Sequence, residues 1–340
     1  MFKTHNAWFR SSVIAFILLG AVGASAATSN DPPSHQSISD VPFTGPLVAS
    51  NATALPAGHW NIEPYLVDAI QYGKYNDNWH QRDTSDTHAF RSVTLFSYGV
   101  TDRLTVGVLP QFGFNQVSGA PSSDGVRLGD MTLRAHYMFH KFHKGSKIPT
   151  MALAVSESIP TGQYDGLDKV SNGLGSGVWS TKIGFWTQDY FWMPNGHILR
   201  ARFNISYEFP NDNKVSVNGR SIYGTDPGFS GSFNPANTFT ANASVEYSLT
   251  RHWAPALEIL YSYTGSGRIS GTAHNISSNQ GLPHTTVRED TRSSEHFEVN
   301  PAVEYLFNKR YGLIVGAQIT VAGRNTGAVV TPQAALNMFF

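Results

Sequence analysis

The sequence has no cysteine and few charged residues, and both shortages exclude classes of function. Without cysteine there is no disulfide scaffold, no cysteine-ligated zinc or iron–sulfur centre and no thiol nucleophile. Charged residues make up 14% of the chain, against about 25% in a typical globular protein. The 24 basic and 24 acidic residues balance, so the chain lacks the basic excess that a nucleic-acid partner requires. The hydrophobic content of 41% excludes a disordered chain.

Long hydrophobic runs are also missing after the N-terminal region, so we expect no membrane-spanning helix in the rest of the chain. The one apolar run, residues 13–22, follows Lys3 and Arg10 and precedes a small-residue stretch that ends at Ala26. This order predicts a secretory signal peptide over residues 1–26, cleaved near Ala26. An N-terminal anchor helix is the alternative. Cleavage removes Lys3 and Arg10 and leaves 22 basic and 24 acidic residues, a net charge of −2.

Residues 27–56 are rich in serine, proline, asparagine and alanine. Because this composition does not demand burial, we expect a weakly ordered periplasmic lead that precedes the folded domain. The alternative is that the segment folds back into the domain and plugs a lumen.

From about residue 57 onward, apolar and polar residues alternate with a period of two, which is typical of β-strands with one apolar face. In residues 328–340, for example, Val330, Leu336 and Phe340 fall on the apolar side. The clearest alternating segments run ten to thirteen residues, the length of a tilted strand that crosses a bilayer, whereas strands of soluble proteins average about 5–6. Aromatic residues gather at the segment ends, as at two membrane interfaces. A secreted soluble β protein is the less favoured alternative.

The alternation therefore predicts an all-β fold, a transmembrane antiparallel up-and-down β-barrel of twelve strands over residues 57–340. The predicted strands are 58–72, 88–100, 103–115, 128–140, 148–160, 177–188, 196–209, 238–250, 252–264, 294–307, 310–322 and 328–340. Mostly short turns alternate with long connections at 73–87, 116–127, 161–176, 210–237 and 265–293. This is the arrangement of bacterial outer-membrane barrels, whose short turns face the periplasm.

The chain ends on Phe340, and a terminal phenylalanine resembles the signature that the barrel-assembly machinery recognises. Together with the signal peptide, it predicts export to the bacterial outer membrane. The expected partners are outer-membrane lipid, lipopolysaccharide, the assembly machinery and a small-molecule solute, and no nucleic acid.

Nine charged residues fall on the lumen-facing side of the predicted strands. They are Arg134, Lys182, Arg200, Arg202, Glu208, Glu246, Glu258, Glu298 and Glu304. Because unpaired interior charges are costly, one interpretation is that they brace the interior as cross-strand pairs. The other is a selectivity lining, in which cationic strands face acidic strands across a pore. Mixed sign is expected from either, so both interpretations stay open.

The thirteen histidines invite a metal or catalytic hypothesis, which their spacing does not favour. No His-Glu-x-x-His motif occurs, and His143 falls in a turn beyond His140, so we expect neither a metal nor a cofactor. A lipid hydrolase, as some twelve-stranded barrels are, needs a nucleophile and a base on its bilayer-facing surface. In the predicted register His136 and His252 point inward and His197 lies at a rim, so no histidine occupies the middle of a lipid face. No Gly-x-Ser-x-Gly motif occurs either, and we expect that the chain is not an enzyme.

Several short motifs follow one another in an order that resembles a known family. They are Tyr-Gly-Val-Thr-Asp-Arg-Leu at 98–104 with Val-Gly-Val at 106–108, Gly-Asp-Met-Thr-Leu at 129–133, Ala-Leu-Ala at 152–154, Ile-Pro-Thr-Gly at 159–162 and Gly-Ser-Gly at 175–177. Their order and spacing resemble the outer-membrane barrels described as meta-pathway phenol-degradation proteins, over most of residues 57–340. The resemblance implies a transporter and, through the family's name, uptake of aromatic compounds. It transfers no substrate-binding residues, because the motifs are structural: a turn, a strand entry and a loop base.

Twelve strands lie between the eight of a barrel filled by its own side chains and the sixteen to eighteen of a water-filled porin. We therefore predict an outer-membrane channel for the passive passage of small molecules, with aromatic or hydrophobic compounds as the solutes that the resemblance implies. Tyr223, Phe229 and Phe233, in the long connections, are candidates for an apolar lid. An outer-membrane lipid hydrolase and a structural or adhesion barrel without transport are the alternatives.

Overall fold

The computed structural model describes residues 35–41, 43–273 and 285–340. The predicted signal peptide and the first part of the predicted lead lie outside these residues. Helix is confined there to two single 3₁₀ turns, Ile38–Asp40 and Val170–Asn172. Neither is long and apolar enough to cross a membrane.

The described residues form strands that we number in chain order. They are β1 (Trp60–Tyr75), β2 (Gln81–Thr101), β3 (Leu104–Leu109), β4 (Gln111–Val117), β5 (Arg127–Leu128), β6 (Met131–His140), β7 (Thr150–Ile159), β8 (Ser180–Trp192), β9 (Ile198–Pro210), β10 (Val215–Asn218), β11 (Phe229–Asn234), β12 (Thr238–Tyr247), β13 (Trp253–Thr264), β14 (Arg268–Ala273), β15 (Thr285–Asp290), β16 (Ser294–Leu306), β17 (Tyr311–Arg324) and β18 (Thr326–Phe339).

A closed antiparallel barrel of twelve strands confirms the predicted fold class. The strands follow the order β1-β18-β17-β16-β13-β12-β9-β8-β7-β6-β3-β2, and β2 pairs again with β1. Two barrel strands are interrupted: β3 and β4 are separated by Pro110, which has no amide hydrogen to donate, and β5 and β6 by the pair Gly129 and Asp130. Closure gives every barrel strand two neighbours. A bilayer core contains no water to hydrogen-bond a free strand edge, so each backbone amide and carbonyl needs a partner on a neighbouring strand.

The barrel is apolar outside and polar inside. Along β13, Leu257 and Ile259 are 44% and 54% exposed, whereas Glu258 between them is fully buried. Aromatic pairs lie on the outer face near the two ends, such as Trp253 with Tyr305 at a ring distance of 4.6 Å. Soluble proteins have the opposite arrangement, with apolar residues inside. An apolar outer surface is what contact with a bilayer requires.

The two ends of the barrel differ in their connections. The short-turn end carries the turns 102–103, 141–149, 193–197, 248–252 and 307–310, and both ends of the barrel chain. At the other, long-loop end, the expected long connection at 73–87 is wrong, because β1 and β2 continue as a hairpin to a turn at 76–80. The extension consists of polar residues such as Arg82 and Asp83, paired beyond the apolar band. Since it has no apolar face, hydrophobic alternation did not reveal it.

The long connections 210–237 and 265–293 contain a second sheet. Its four antiparallel strands run in the order β10-β11-β14-β15. Val217, Phe229 and Ile269 form its apolar cluster. These strands have only four to six residues and many glycines and serines, so their pattern in the sequence resembles that of a loop.

Candidate functional site

Residues 43–56, which we call the inner segment, lie inside the barrel. The chain enters at the short-turn end, where the Gln36 amide donates to the Gly196 carbonyl. It leaves at the same end, where the Ala57 amide donates to Asp102 at 3.0 Å. The segment is made of small and apolar residues and is buried at positions such as Ala52. Small side chains let its backbone fit within a narrow lumen.

For the inner segment the structure therefore departs from the expected weakly ordered lead and adopts the alternative, a segment folded back into the lumen. The physical reason is that the barrel supplies partners for its main chain. A segment without regular structure can be buried only when its amide and carbonyl groups find hydrogen bonds.

Two lumen-facing carboxylates hold the inner segment by its backbone. Glu304 accepts from the Thr44 amide at 2.5 Å, the Thr44 hydroxyl at 2.9 Å and the Gly45 amide at 2.9 Å. Glu258 accepts from the amides of Val48 and Ala49 at 2.9 and 2.7 Å. Both carboxylates are fully buried. Hydrogen bonds to a carboxylate are about twice as strong as neutral ones, so these are the strongest attachments of the segment.

A buried ion cluster lies beside these carboxylates. Glu246 on β12 faces Arg200 on β9 as a direct cross-strand pair, and the Arg200 guanidinium donates to it with two nitrogens. Arg202 lies 3.3 Å from the same carboxylate and also donates to the Ala49 carbonyl at 2.7 Å. The Arg200 guanidinium lies 4.4 Å from the centre of the Phe43 ring. The cluster therefore pairs charges across strands and holds the inner segment at the same time.

The structure thus brings together five of the nine predicted lumen residues. Arg200, Arg202, Glu246, Glu258 and Glu304 lie on the neighbouring strands β9, β12, β13 and β16 and surround the inner segment. Their geometry is that of the bracing interpretation, because each charge has a hydrogen-bond or ionic partner.

The other four predicted residues lie nearer the open part of the lumen. Lys182 and Glu208 form a pair at 2.8 Å. Glu298 lies 3.5 Å from His296. Arg134 lies over the ring of Trp186 at 5.5 Å. None of these four contacts the inner segment by a hydrogen bond in the part of the chain that the structure describes.

Two cavities follow one another in the lumen. The first, the vestibule, measures about 680 Å³ at the long-loop end, and its lining includes Asp130, Glu208 and Phe233. The second, the inner cavity, measures about 300 Å³ and has Val48 to Ser50 of the inner segment in its lining. Thr132 lines both cavities. The two cavities are therefore neighbours, and the inner segment forms part of the wall of the second.

Three of the motifs noted in the sequence meet at the rim of the vestibule. Asp130 accepts from the Gly162 amide at 3.0 Å and from the amide and hydroxyl of Ser176 at 2.7 and 2.6 Å. Gly162 and Gly175 lie so close that a Cβ on Gly175 would be 2.0 Å from the Gly162 carbonyl oxygen. The motifs therefore join two connections of the long-loop end around one carboxylate.

The proposed lid aromatics belong to the second sheet. Tyr223 stacks on Phe233 with a ring distance of 4.1 Å, and its hydroxyl donates to the Ser176 carbonyl. Burial raises the pKa of the Tyr223 phenol. Phe229 is buried within the sheet, and of the three only Phe233 lines the vestibule. The apolar lid over the entrance stays a prediction.

Two histidines depart from the prediction. His252, which was expected to point inward, is exposed in the turn before β13 and stacks on Tyr305 of the outer face. His136 is buried beside Trp186. His88, however, lies on the outward face of β2, in register with Phe90 and Phe96, and contacts Asp68 of β1 at 2.9 Å. His88 is the first residue of the predicted strand 88–100, and the sequence did not reveal its pairing with Asp68. Among the described residues no serine or threonine hydroxyl hydrogen-bonds to His88, and no group of three or more acidic or histidine side chains could hold a metal ion.

Sequence reasoning also missed Glu63, which faces inward on β1 and accepts from Asn337 at 2.7 Å. In the period-two alternation of β1, Glu63 falls on the inward-facing side. This was the signal in the sequence that could have identified it as a lumen residue. The inner segment offered no such signal, because its burial depends on partners from distant strands.

The family model described as "Putative MetA-pathway of phenol degradation" matches residues 80–330 of this chain. An outer membrane channel from Pseudomonas putida F1 has a similar fold, with a TM-score of 0.65 and 15% identity over 86% of this chain and 100% of that one. The β domain of the Bordetella autotransporter BrkA gives a TM-score of 0.45 at 10% identity, covering 84% and 100% of the two chains. The Pseudomonas putida toluene transporter TodX gives 0.35 at 10% identity, covering 90% and 95%. No curated protein matches the chain.

Proposed function

The chain belongs to this phenol-degradation family, and we propose that it is an outer-membrane channel for small solutes whose lumen is closed at rest by the inner segment. The observation that carries the proposal is the pair of neighbouring cavities inside the barrel, the vestibule and the inner cavity, with residues 48–50 of the inner segment in the lining of the second. A barrel with a purely structural role has no need of internal cavities, one of which is lined by a separate segment of the chain.

The proposed location is the bacterial outer membrane, reached through a signal peptide over residues 1–26. In such barrels the long loops face outward, so the vestibule opens to the exterior and the inner segment closes the periplasmic side. Outer-membrane lipid and lipopolysaccharide then surround the apolar outer wall.

Aromatic and other partly hydrophobic compounds are the proposed solutes. The family's name points to aromatic compounds, and the vestibule joins apolar side chains such as Ile222 and Phe233 to polar ones such as Ser158 and Ser180. Ligand cavities combine an apolar surface with a few polar groups in this way.

Single-channel conductance in a planar bilayer tests the proposal on the refolded chain 27–340. We expect the unaltered protein to remain closed for most of the recording. The double variant Glu258→Gln, Glu304→Gln removes carboxylate acceptors of the segment's amides and should open in discrete steps far more often. Glu298→Gln is the matched control, because Glu298 faces the lumen without holding the segment.

A second variant lacking residues 27–56 guards against a misfolded double variant, and gel mobility before and after heating shows whether each barrel is folded. Folded barrels that stay silent in both variants would contradict a channel and would favour the structural or adhesion alternative.

A further inference from the structure

The inner cavity has the chemistry of a ligand site as well as that of a passage. Its volume of about 300 Å³ is at the lower end for ligand pockets, which limits an occupant to about one ring. Thr132 lines both this cavity and the vestibule, so we expect a solute from the long-loop end to reach it by way of the vestibule.

In the described part of the chain, Arg134, a cation of this cavity, lacks the carboxylate contact that three other lumen cations have. Arg200, Arg202 and Lys182 each contact a carboxylate. Within residues 35–41, 43–273 and 285–340, no carboxylate lies within 4 Å of the Arg134 guanidinium. Glu63 attracts it from a greater distance. A guanidinium has five N–H donors in a fork that matches a carboxylate, so Arg134 is available to an anionic ligand.

The rest of the lining suits a ring. Trp186 lies beside Arg134, with 5.5 Å between the guanidinium carbon and the centre of the indole. Leu109, Ala154 and Leu260 add apolar surface to the same cavity. Aromatic surfaces of this kind favour the flat face or edge of another ring. The cavity therefore places a cation next to a small apolar space.

We propose that the inner cavity binds a one-ring aromatic carboxylate, with Arg134 pairing with the carboxylate and Trp186 contacting the ring. The proposal rests on the proposed function, since it makes this cavity the binding station of the channel. It narrows the solute class from aromatic compounds in general to those that carry an anionic group.

Isothermal titration of the refolded chain 27–340 in detergent micelles tests the proposal, with benzoate as the anionic probe and benzyl alcohol as its uncharged counterpart. We expect benzoate to bind more tightly than benzyl alcohol. Arg134→Gln should weaken benzoate binding at least about tenfold, the loss expected when a charge-assisted pair is removed. It should leave benzyl alcohol unchanged.

Two further variants serve as controls. Arg134→Lys retains the charge without the fork and should bind benzoate with intermediate strength, which shows that a loss in Arg134→Gln is not misfolding. Arg127→Gln, which removes a cation of the long-loop end paired with Asp124, should bind like the unaltered chain.

Absence of benzoate binding, equal binding of both probes, or unchanged binding by Arg134→Gln would each overturn the site. These titrations need no transport. A barrel that conducts no current but binds benzoate through Arg134 would contradict the channel and support the site. A barrel that conducts but does not bind benzoate would support the channel and contradict the site.

Discussion

At the scale of single residues, the lumen of this barrel is organised by carboxylates that bind main chain. Glu258 and Glu304 carry charge into a buried position and use it to satisfy amides of the inner segment. A buried carboxylate without such partners would be strongly unfavourable. The side chains and the segment therefore stabilise each other.

Glu258→Gln should loosen the inner segment, because a carboxamide offers one acceptor oxygen where Glu258 accepts from both Val48 and Ala49. The lost charge-assisted hydrogen bond corresponds to about 1.5–3 kcal/mol. Since the chain has no native cysteine, Ala49→Cys introduces a single thiol on the segment. We expect a maleimide to label it at least about tenfold faster when Glu258→Gln is also present.

Glu298→Gln in the same Ala49→Cys chain is the control for this labelling and should leave the rate unchanged. Equal labelling rates with and without Glu258→Gln would show that the carboxylate does not hold the segment.

At the scale of elements, the connections of the long-loop end depend on close backbone contact. Thr161 and Gly162 of one connection and Gly175 and Ser176 of its far side meet around Asp130. The approach of Gly162 to Gly175 leaves no room for a side chain. This contact explains why glycine occurs at both positions.

Gly175→Ala should destabilise this junction, because its Cβ would lie 2.0 Å from the Gly162 carbonyl oxygen and the backbone must move. Overpacking of this kind costs about 1–3 kcal/mol. We expect faster proteolysis within residues 161–176 while the barrel stays folded. The matched control is Gly265→Ala, whose Cβ would have its nearest neighbour at 3.5 Å. Similar cleavage rates for the two variants would contradict the role given to the contact.

At the scale of the whole molecule, the barrel closes by pairing its first and last strands. Trp60 and Phe340 exchange amide-to-carbonyl hydrogen bonds of 2.9 Å at the end of the seam between β1 and β18. The Phe340 side chain is 48% exposed. Its backbone therefore closes the barrel, while much of its ring remains accessible to a partner.

Phe340→Ala should lower the fraction of barrel assembled in cells, because it removes the ring that we expect the assembly machinery to recognise. Refolding into detergent should be nearly unchanged, since the backbone pair with Trp60 is retained. Gel mobility before and after heating measures both. Phe307→Ala is the control, an aromatic of the same end that is 52% exposed. A parallel loss in cells and in detergent would indicate a stability effect instead of recognition.

The sequence by itself determined the barrel and its twelve strands, and it predicted a face for each lumen residue. Alternation with a period of two is a local property that assigns Glu258 inward and Leu257 outward without knowledge of any neighbour. Strand length then indicated a bilayer. Polar extensions such as the end of β2 and the short strands of the second sheet were missed, because they carry no apolar face long enough to recognise.

Only the tertiary structure decided which lumen residues act together. Arg200 pairs with Glu246 because β9 and β12 are neighbours in one register, and register depends on the closure of the whole barrel. The inner segment is buried because carboxylates from β13 and β16 reach its amides, and no local pattern records a partner more than 200 residues away. For the same reason the availability of Arg134, on which the proposed anion site rests, follows from where the other charges lie.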